Sequence, residues 1–268
     1  MKNSFDLTGV IPANCGGLLA ADQREIDNPD PYRPACRNYM DRVEKVVNLV
    51  RKSVPAGAAV AEIGCAQGNM SLLLAEAGYR MTAIDINPSF LEYSKLKHER
   101  GNITWLNSNL EDLDQSLKFD GIILGEIIEH CAWPEKVVAG TLARLKPGGC
   151  LVVTTPNAEK VGEHLPTFSK FDGADKRREL EKMQFGPAGE DHLFLFTMME
   201  MKSLAPEGAK LVDSGYLGGS LALNSVTHHL FRLLPIKLYR RMIRGMAGIP
   251  LLNRFSFHNI YMVLQKPS

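Results

Sequence analysis

Short apolar segments alternate with amphipathic stretches between residues 59 and 157, and this alternation constrains the fold more than any other feature. Strands rich in Ile, Val and Leu that are each followed by a helix are typical of a parallel sheet covered on both faces. Right-handed crossovers then fix most of the topology. We therefore predict an α/β fold with a doubly wound, mostly parallel, seven-stranded sheet. The predicted strands are Ala59–Ile63, Arg80–Ile84, Ile103–Leu106, Phe119–Leu124, Cys150–Thr154, Lys210–Tyr216 and Asn259–Gln265.

The pattern before and after this region gives the predicted domain organisation. The first 38 residues are rich in Pro, Gly, Asn and Asp and predict an irregular arm, which a helix with a stripe of Val residues follows. The chain is therefore divided into an N-terminal arm with a cap helix, residues 1–54, and one α/β domain, residues 55–268. Two insertions in this domain, residues 158–191 and 217–258, are predicted to form a substrate lid, because structureless loops of that length are uncommon in compact domains.

Charge and cysteine content limit the classes of partner. The 31 Lys and Arg residues nearly balance 30 Asp and Glu residues, so no global field recruits nucleic acid or an acidic membrane. The five cysteines form no C-x-x-C pair, which indicates neither a disulfide framework nor a cysteine zinc site. No apolar run approaches the roughly 20 residues that span a bilayer, and the N-terminus is a poor signal peptide. We expect a cytoplasmic protein.

A glycine turn and an acid follow the first two predicted strands. Glycines at the end of a strand let the backbone turn sharply and approach a ligand, and the following helix offers free N–H groups. Asp85 lies 21 residues past Gly64, where a carboxylate can bind a ribose diol. Helix capping is the alternative role for Asp85. The turn itself reads Glu62-Ile63-Gly64-Cys65-Ala66-Gln67-Gly68.

These residues begin an ordered set of five motifs. In order and spacing the set resembles the motifs of class I S-adenosylmethionine (SAM)-dependent methyltransferases over residues 55–157. The resemblance implies a Rossmann-like methyltransferase fold and SAM as cofactor. Ala66 departs from the family, which usually has glycine there, and we expect this small residue to be tolerated. The motifs are Glu62-x-Gly64-Cys65-x-x-Gly68, Ile84-Asp85-Ile86-Asn87-Pro88, Asn109-Leu110-Glu111-Asp112-Leu113, Phe119-Asp120 and Leu145-Lys146-Pro147-Gly148-Gly149.

The resemblance also implies roles in cofactor binding. Glu62 would lie near the amino group of the methionine moiety, and Asp85 would accept bonds from both ribose hydroxyls. Asn109 would contact the adenine amine, and Leu110 would contact the edge of the ring. Acids suit a cationic sulfonium ligand better than an anionic dinucleotide. The full cofactor-binding set is Glu62, Gly64, Cys65, Gly68, Asp85, Ile86, Asn109, Leu110 and Glu126.

A second group of candidate residues follows the fourth strand, where this fold binds its ligands. The segment Glu126-Ile127-Ile128-Glu129-His130 resembles the E-x-x-E-H motif of ubiquinone-biosynthesis O-methyltransferases and of small-RNA 2′-O-methyltransferases. In the RNA enzymes this motif and a later histidine hold a divalent metal, which makes His192 a candidate. Glu126, Glu129, His130 and His192 would suit Mg²⁺ or Mn²⁺. A metal-independent catalytic role for Glu129, His130 and His192, in proton transfer or positioning, and a structural role are the alternatives.

The second insertion carries a basic amphipathic pattern. Residues 228–254 contain His, Lys and Arg among Leu, Ile and Met, without an acid. Such a helix can contact an anionic membrane surface as a peripheral partner. A cap over a hydrophobic substrate, a contact between subunits, and an ordinary cap with a solvated basic face are the alternatives.

Three functions are consistent with these features. The first is O-methylation of a small hydroxylated acceptor that is hydrophobic or lipid-linked. The second is metal-dependent RNA 2′-O-methylation, against which the near-neutral charge and the lack of an RNA-binding module argue. The third is a non-catalytic regulator that binds SAM, for which Ala66 is the only support. The acceptor atom and the oligomeric state stay open.

Overall fold

A seven-stranded sheet forms the centre of the protein. The computed structural model describes residues 1–7, 10–160, 163–184, 192–219, 233–247 and 249–268. The strands are β1 (Ala59–Ile63), β2 (Arg80–Asp85), β3 (Asn102–Asn107), β4 (Phe119–Gly125), β5 (Leu145–Pro156), β6 (Lys210–Gly219) and β7 (Phe257–Gln265). Their order in the sheet is β3-β2-β1-β4-β5-β7-β6. The predicted seven-stranded, doubly wound sheet is confirmed.

Strand direction brings the functional ends of the strands to one edge. Strands β1 to β5 are parallel to one another, and β7 is antiparallel to both of its neighbours. Strand β6 therefore runs in the same direction as β5 and ends at the same edge. The reversal between β1 and β4 opens a crevice at the carboxyl edge, where ligands bind in doubly wound sheets.

Helices cover both faces of the sheet. The helices are α1 (Gly16–Asp22), α2 (Pro34–Ser53), α3 (Asn69–Glu76), α4 (Pro88–Lys97), α5 (Pro134–Ala143), α6 (Ala174–Glu181), α7 (Met198–Ser203), α8 (Ile236–Ala247) and α9 (Pro250–Ser256). One core contains Val46 and Val50 of α2, which pack with Val60 and Ile123. The other contains Ile122, Leu124 and their neighbours against α5 and α7. Successive strand residues serve opposite cores because side chains alternate across a sheet.

The N-terminal arm is more regular than the sequence predicted. It contains α1 and a π-helical turn over Gln23–Asp27, and α2 begins at Pro34, five residues before the predicted start at Tyr39. The prediction of an irregular arm was wrong because tertiary contacts compensate for the weak helix propensity of its Gly residues. Proline at the first position of α2 is favourable, since its missing N–H is unsatisfied there in any residue.

Three other predicted boundaries also change. Helix α5 ends at Ala143, and Leu145 already pairs with Phe119 in the sheet, so the Pro-Gly-Gly turn interrupts one strand and does not precede it. At the second insertion, Leu217 and Phe257 belong to strands β6 and β7. The paired histidines 228–229 lie outside the described residues.

A buried network of polar side chains attaches the arm to the sheet's helices. Lys97 Nζ donates to Asp22 Oδ2 and to Asn69 Oδ1, each at 2.6 Å. Tyr93 donates to the same Asp22 oxygen at 2.8 Å, and Tyr39 accepts from Asn69 at 2.7 Å. Burial lowers the pKa of Lys97. Because every member has a partner, the network stabilises the docked arm at an acceptable desolvation cost.

Within the part of the chain that the structure describes, no helix combines the length and the hydropathy needed to cross a bilayer.

We predict that Lys97→Met destabilises the fold by about 3–5 kcal/mol, because Asp22 is left as a buried charge without its partner. Urea denaturation at neutral pH measures the free energy of unfolding. Lys95→Met is the matched control on the same helix, since its ion pair with Glu92 is exposed and contributes less than about 1 kcal/mol. Equal effects of the two substitutions would contradict the role of the buried network.

Candidate active site

A cleft of about 1400 Å³ opens at the carboxyl edge of the sheet. The ends of β1, β2 and β4 line it, together with α2 and the start of α5. The cleft contains all of the predicted cofactor-binding residues except Gly68, and two of the three predicted catalytic residues, His130 and His192. The third, Glu129, is buried directly beside them.

The glycine turn after β1 is shaped by packing as well as by backbone conformation. Gly64 and Gly68 both have left-handed backbone conformations, with φ of +69° and +71°. A Cβ at Gly64 would lie 2.1 Å from Ile127 Cδ1, and one at Gly68 would lie 2.0 Å from Ser94 Oγ. A side chain at Gly64 would therefore disturb the wall of the cleft through Ile127, and one at Gly68 would disturb the packing of the turn against α4.

Ala66 also adopts a left-handed conformation, with φ of +43°. This conformation costs an L-residue about 1–2 kcal/mol. The Ala66 N–H donates to Asp85 Oδ2 at 2.8 Å, which offsets part of that cost. The turn thus keeps its shape without the usual glycine.

Asp85 at the end of β2 faces the cleft and is held by backbone donors. Its second oxygen accepts from the Asn87 N–H at 2.8 Å. Burial raises the pKa of Asp85, and the bonds from Asn87, Ala66 and Ile86 oppose that rise. The carboxyl group is fixed in one orientation at the mouth of the cleft, where a diol can reach it.

Glu62 lies deeper, at the end of β1. Its carboxyl group accepts from the backbone N–H of Ser71 at 2.9 Å and from the Ser71 hydroxyl at 2.5 Å. Burial raises the pKa of Glu62 to about 7, although the Ser71 bonds act in the opposite direction. An approaching cation would compensate for this buried charge.

The adenine side of the predicted site combines an apolar surface with an oriented amide. Ile86 lines the cleft and is 51% exposed, which leaves apolar area for a flat ring to cover. Leu110 lies in the same lining. Both ends of the Asn109 amide are bonded to Asp112, at 2.7 and 2.8 Å. Each end of this amide can make one more hydrogen bond, so its contact with Asp112 orients Asn109 without blocking it.

Glu126 is held by three donors at the end of β4. Its φ of +57° is unusual for a residue with a side chain. The carboxylate pairs with Arg42 at 2.8 Å and accepts from Thr154 at 2.8 Å and from Asn259 at 2.5 Å. The structure therefore places Glu126 in a different set of contacts from the other three predicted metal ligands.

Glu129, His130 and His192 converge, with one ligand atom from each within 4.8 Å of the others. The rings of His130 and His192 meet edge to face, with centroids 4.8 Å apart. Glu129 Oε2 accepts from Thr155 at 2.9 Å, and its buried Oε1 has no hydrogen-bond partner in the described part of the chain. Burial and the Glu126 carboxylate raise the pKa of Glu129 well above its usual range.

This donor set fits a divalent cation in its chemistry. Two imidazoles and one carboxyl group with an unbonded oxygen can provide three ligands. A bound cation would supply Lewis acidity and lower the pKa of a coordinated hydroxyl. Without a cation, the raised pKa of Glu129 favours its protonated form beside two imidazoles that can accept a proton. The arrangement is consistent with either chemistry.

The first insertion contributes Glu181 and Gln184 to the lining of the cleft and packs against Trp133. Arg177 of α6 lies over the Trp133 ring at 5.3 Å and over Phe168 at 4.5 Å, and it pairs with Glu135 at 2.5 Å. Gln184 lines the cleft and accepts from the Ala132 N–H at 3.0 Å. Aromatic and amide groups beside the histidines give this part of the cleft a mixed polar and apolar character.

The second insertion was predicted to form a lid over the cleft. Among its described residues, none lines the cleft, although α8 and α9 leave from and return to the carboxyl edge. Residues 220–232 lie outside the described part of the chain. A lid formed by this insertion remains a prediction.

Sequence reasoning missed the contribution of α2. Tyr39 and Arg42 line the cleft, and Arg42 provides the ion pair to Glu126. The stripe of Val residues correctly located the buried face of this helix. The position of Arg42 beside Val43 could have indicated that this arginine is partly buried. An arginine in such a position more often extends its charged group to solvent.

Comparisons with known proteins agree with this geometry. Residues 60–149 match the family described as "Methyltransferase domain". The ubiquinone biosynthesis O-methyltransferase of Xanthomonas axonopodis pv. citri (strain 306) is 35% identical over 144 residues, which are 52% of this chain and 59% of that protein. The protein of the same name from Xylella fastidiosa (strain 9a5c) is 36% identical over 116 residues, 41% of this chain and 47% of that protein. The matched region thus spans about half the length of these curated relatives.

A solved structure extends the likeness to the whole fold. The N-methyltransferase NodS from Bradyrhizobium japonicum WM9, in complex with S-adenosyl-L-homocysteine, superposes with a TM-score of 0.54 and 15% identity over 100% of both chains. The fold is that of the Rossmann-like methyltransferases. Residues 60–149 thus resemble a methyltransferase domain, and the relatives and the fold support SAM as the cofactor.

The residues on the cleft's cofactor side fit this group. Two acids, Glu62 and Asp85, match the positive charge and the ribose diol of SAM, and the exposed Ile86 matches its flat base.

We predict that Asp85→Ala weakens S-adenosyl-L-homocysteine binding about tenfold or more, because two ribose hydroxyls lose a charged acceptor. Isothermal titration calorimetry on the purified protein measures the Kd. Asp175→Ala, at an exposed position on α6 outside the cleft, is the control and should leave the Kd unchanged. An unaltered Kd in the Asp85 variant would show that this carboxylate only caps the following helix.

We predict that cofactor affinity rises with pH up to about 7 and levels off above that value. The reason is that burial raises the pKa of Glu62 to about 7. A cation beside Glu62 stabilises the ionised carboxylate, so binding lowers its pKa and releases a proton. Calorimetry with S-adenosyl-L-homocysteine between pH 5.5 and 8 gives the profile. Glu62→Gln should flatten it, and Glu92→Gln, on an exposed face of α4, should not. A profile that is unchanged in Glu62→Gln would rule out this role.

Proposed function

We propose that the protein transfers the methyl group of SAM to a hydroxyl oxygen of a small, partly apolar acceptor. The convergence of Glu129, His130 and His192 beside the cofactor side of the cleft carries this proposal. A hydroxyl must lose its proton or coordinate a metal before it becomes a good nucleophile, and this group of side chains can assist in either way. An amine that is neutral at working pH needs less assistance.

The cofactor supplies an activated methyl group on a sulfonium that already leaves readily. The chain therefore has to position the acceptor and manage one proton. The acceptor oxygen bonds to the methyl carbon as the carbon–sulfur bond breaks, and the sulfur keeps the electron pair. The hydroxyl proton passes to an imidazole nitrogen of His130 or His192, while Thr155 holds Glu129 in place behind them.

The cleft wall indicates the class of acceptor. Trp133 lines the cleft with Cys131 and Val137, and Arg177 and Lys136 lie against the indole ring. A ring-containing or otherwise apolar acceptor can contact this surface while its hydroxyl reaches the histidines. The O-methyltransferase names of the relatives from Xanthomonas and Xylella support the choice of oxygen over nitrogen as acceptor atom.

The proposal is tested with SAM and three acceptor sets: phenols and catechols with apolar substituents, aliphatic and aromatic amines, and short RNA with a free 2′-hydroxyl at its 3′ end. Mass spectrometry identifies the methylated product, and release of S-adenosyl-L-homocysteine gives the rate. We expect methyl ethers from the first set. Products from amines alone would overturn O-methylation, and products from RNA alone would overturn a small acceptor.

Substitutions in the cluster separate proton transfer from metal chemistry. His192→Gln should reduce kcat by roughly 10²–10⁴-fold on either account, with the Kd for the cofactor unchanged. His164→Gln is the control, because His164 is exposed and outside the cleft. Glu129→Gln keeps the shape of a neutral carboxyl group, so it should preserve most activity if proton transfer operates. If a metal is required, Glu129→Gln and a chelator should both abolish activity.

A further inference from the structure

We propose that the surface formed by α8 and α9 docks onto a bilayer that contains anionic phospholipid. This surface, the basic face, comprises the exposed residues between Leu233 and Phe255. It lies apart from the residues of the proposed reaction, and its binding to lipid does not depend on methyl transfer. Three observations carry the proposal: the segregation of charge along the chain, the faces of α8, and the exposed apolar side chains beside its arginines.

Charge is strongly segregated although the net charge is only +1. After Asp213 the chain contains seven Lys and Arg residues and no acid. The 213 residues before that point contain 24 Lys and Arg residues against 30 Asp and Glu residues. A protein with this distribution carries a basic end on an acidic body, so one orientation is favoured at a negatively charged surface.

Helix α8 divides into three faces. Tyr239 and Ile243 are buried, and they pack with Phe257 of β7 and with Tyr32 of the arm. Four cations, on the side away from this contact, are exposed, and Leu238 and Met242 lie together on one flank with 45% and 41% exposure. The exposed cations are Lys237, Arg240, Arg241 and Arg244.

These cations have few acidic partners. Arg254 of α9 pairs with Glu159. Over the described ranges of the chain, no ion pair engages Lys237, Arg241 or Arg244. Their charge is therefore available to an external anion such as a phospholipid headgroup.

Further exposed apolar side chains lie in the same segment of the chain. Leu233 is 80% exposed, Ile249 is 48% exposed and Leu252 is 41% exposed. Together with the flank of α8 they give the basic face an apolar component, which phosphate binding alone does not require. Apolar side chains that insert among headgroups beside cations are the pattern of an interfacial helix. This combination favours a lipid surface over RNA.

The basic face lies at the edge of the sheet where the cleft opens. Strand β6 ends and β7 begins at the carboxyl edge, and Asn157, just past the end of β5, donates to the backbone oxygens of Arg254 and Phe257. A bilayer bound to this face would lie on the cleft side of the molecule. An acceptor dissolved in the membrane could then reach the cleft without crossing much water.

The test is sedimentation of the 268-residue protein with vesicles of pure phosphatidylcholine and with vesicles that also contain phosphatidylglycerol. We expect binding to the anionic vesicles only, and weaker binding as salt rises. Reversal of two charges in R241E/R244E should weaken binding about tenfold or more. The pair L238S/M242S should weaken it as well, because the apolar flank no longer inserts.

The matched control is R51E/K52E, which makes the same charge change on two exposed residues. These residues lie at the end of α2, near the start of β1 and therefore at the opposite edge of the sheet. This variant should bind anionic vesicles like the unmodified protein. Circular dichroism and S-adenosyl-L-homocysteine affinity verify that each variant is folded. Equal loss in the control, or no vesicle binding by the unmodified protein, would overturn the proposal. Binding to RNA that R241E/R244E abolishes and L238S/M242S preserves would also overturn it. A dimer that light scattering detects and L238S/M242S dissociates, without any vesicle binding, would overturn it as well.

Discussion

The Glu126 carboxylate joins three separate elements, and the shape of the cleft depends on this junction. Arg42 comes from α2, Thr154 from β5 and Asn259 from β7. Their bonds hold Glu126 in a left-handed conformation that its own side chain disfavours. The strain places the following residues in a short turn, and that turn brings Glu129 and His130 back toward His192. The geometry of the cluster therefore depends on a residue that lies outside the cluster itself.

Much of the fold follows from local pattern. Buried parallel strands consist of continuous apolar runs, and glycines and prolines mark their ends, so the strands of the sheet were predictable to within a few residues. The glycine turn and Asp85 were equally accessible, because their roles are set by distance along the chain. The sheet topology then follows from right-handed crossovers, which place both features at the same edge.

The contacts that could not be predicted are all made between distant parts of the chain. Arg42 and Glu126 are far apart in sequence, and nothing in either segment indicates the other. The same holds for Lys97 and Asp22, whose meeting turned a stretch rich in Gly and Asn into ordered helices. Asn109 shows that a local contact can also be missed, because its amide bonds to Asp112, only three residues away. A polar side chain can bond to several different partners, and the tertiary structure determines which of these bonds forms.

The anchoring of the arm also has a consequence for the order in which the protein assembles. The glycine turn lies between β1 and β2, which pair residues that are close in sequence, such as Ala59 with Arg80. The contact between Asp22 and Lys97, in contrast, closes a loop of 75 residues. Closing such a loop costs chain entropy before the contact can form, so the contact is expected to form late in folding. Tyr39 and Arg42 lie on the segment that this contact holds in place. The glycine turn and the strand ends can therefore form before α2 docks beside them. A nascent molecule acquires its binding site in two stages.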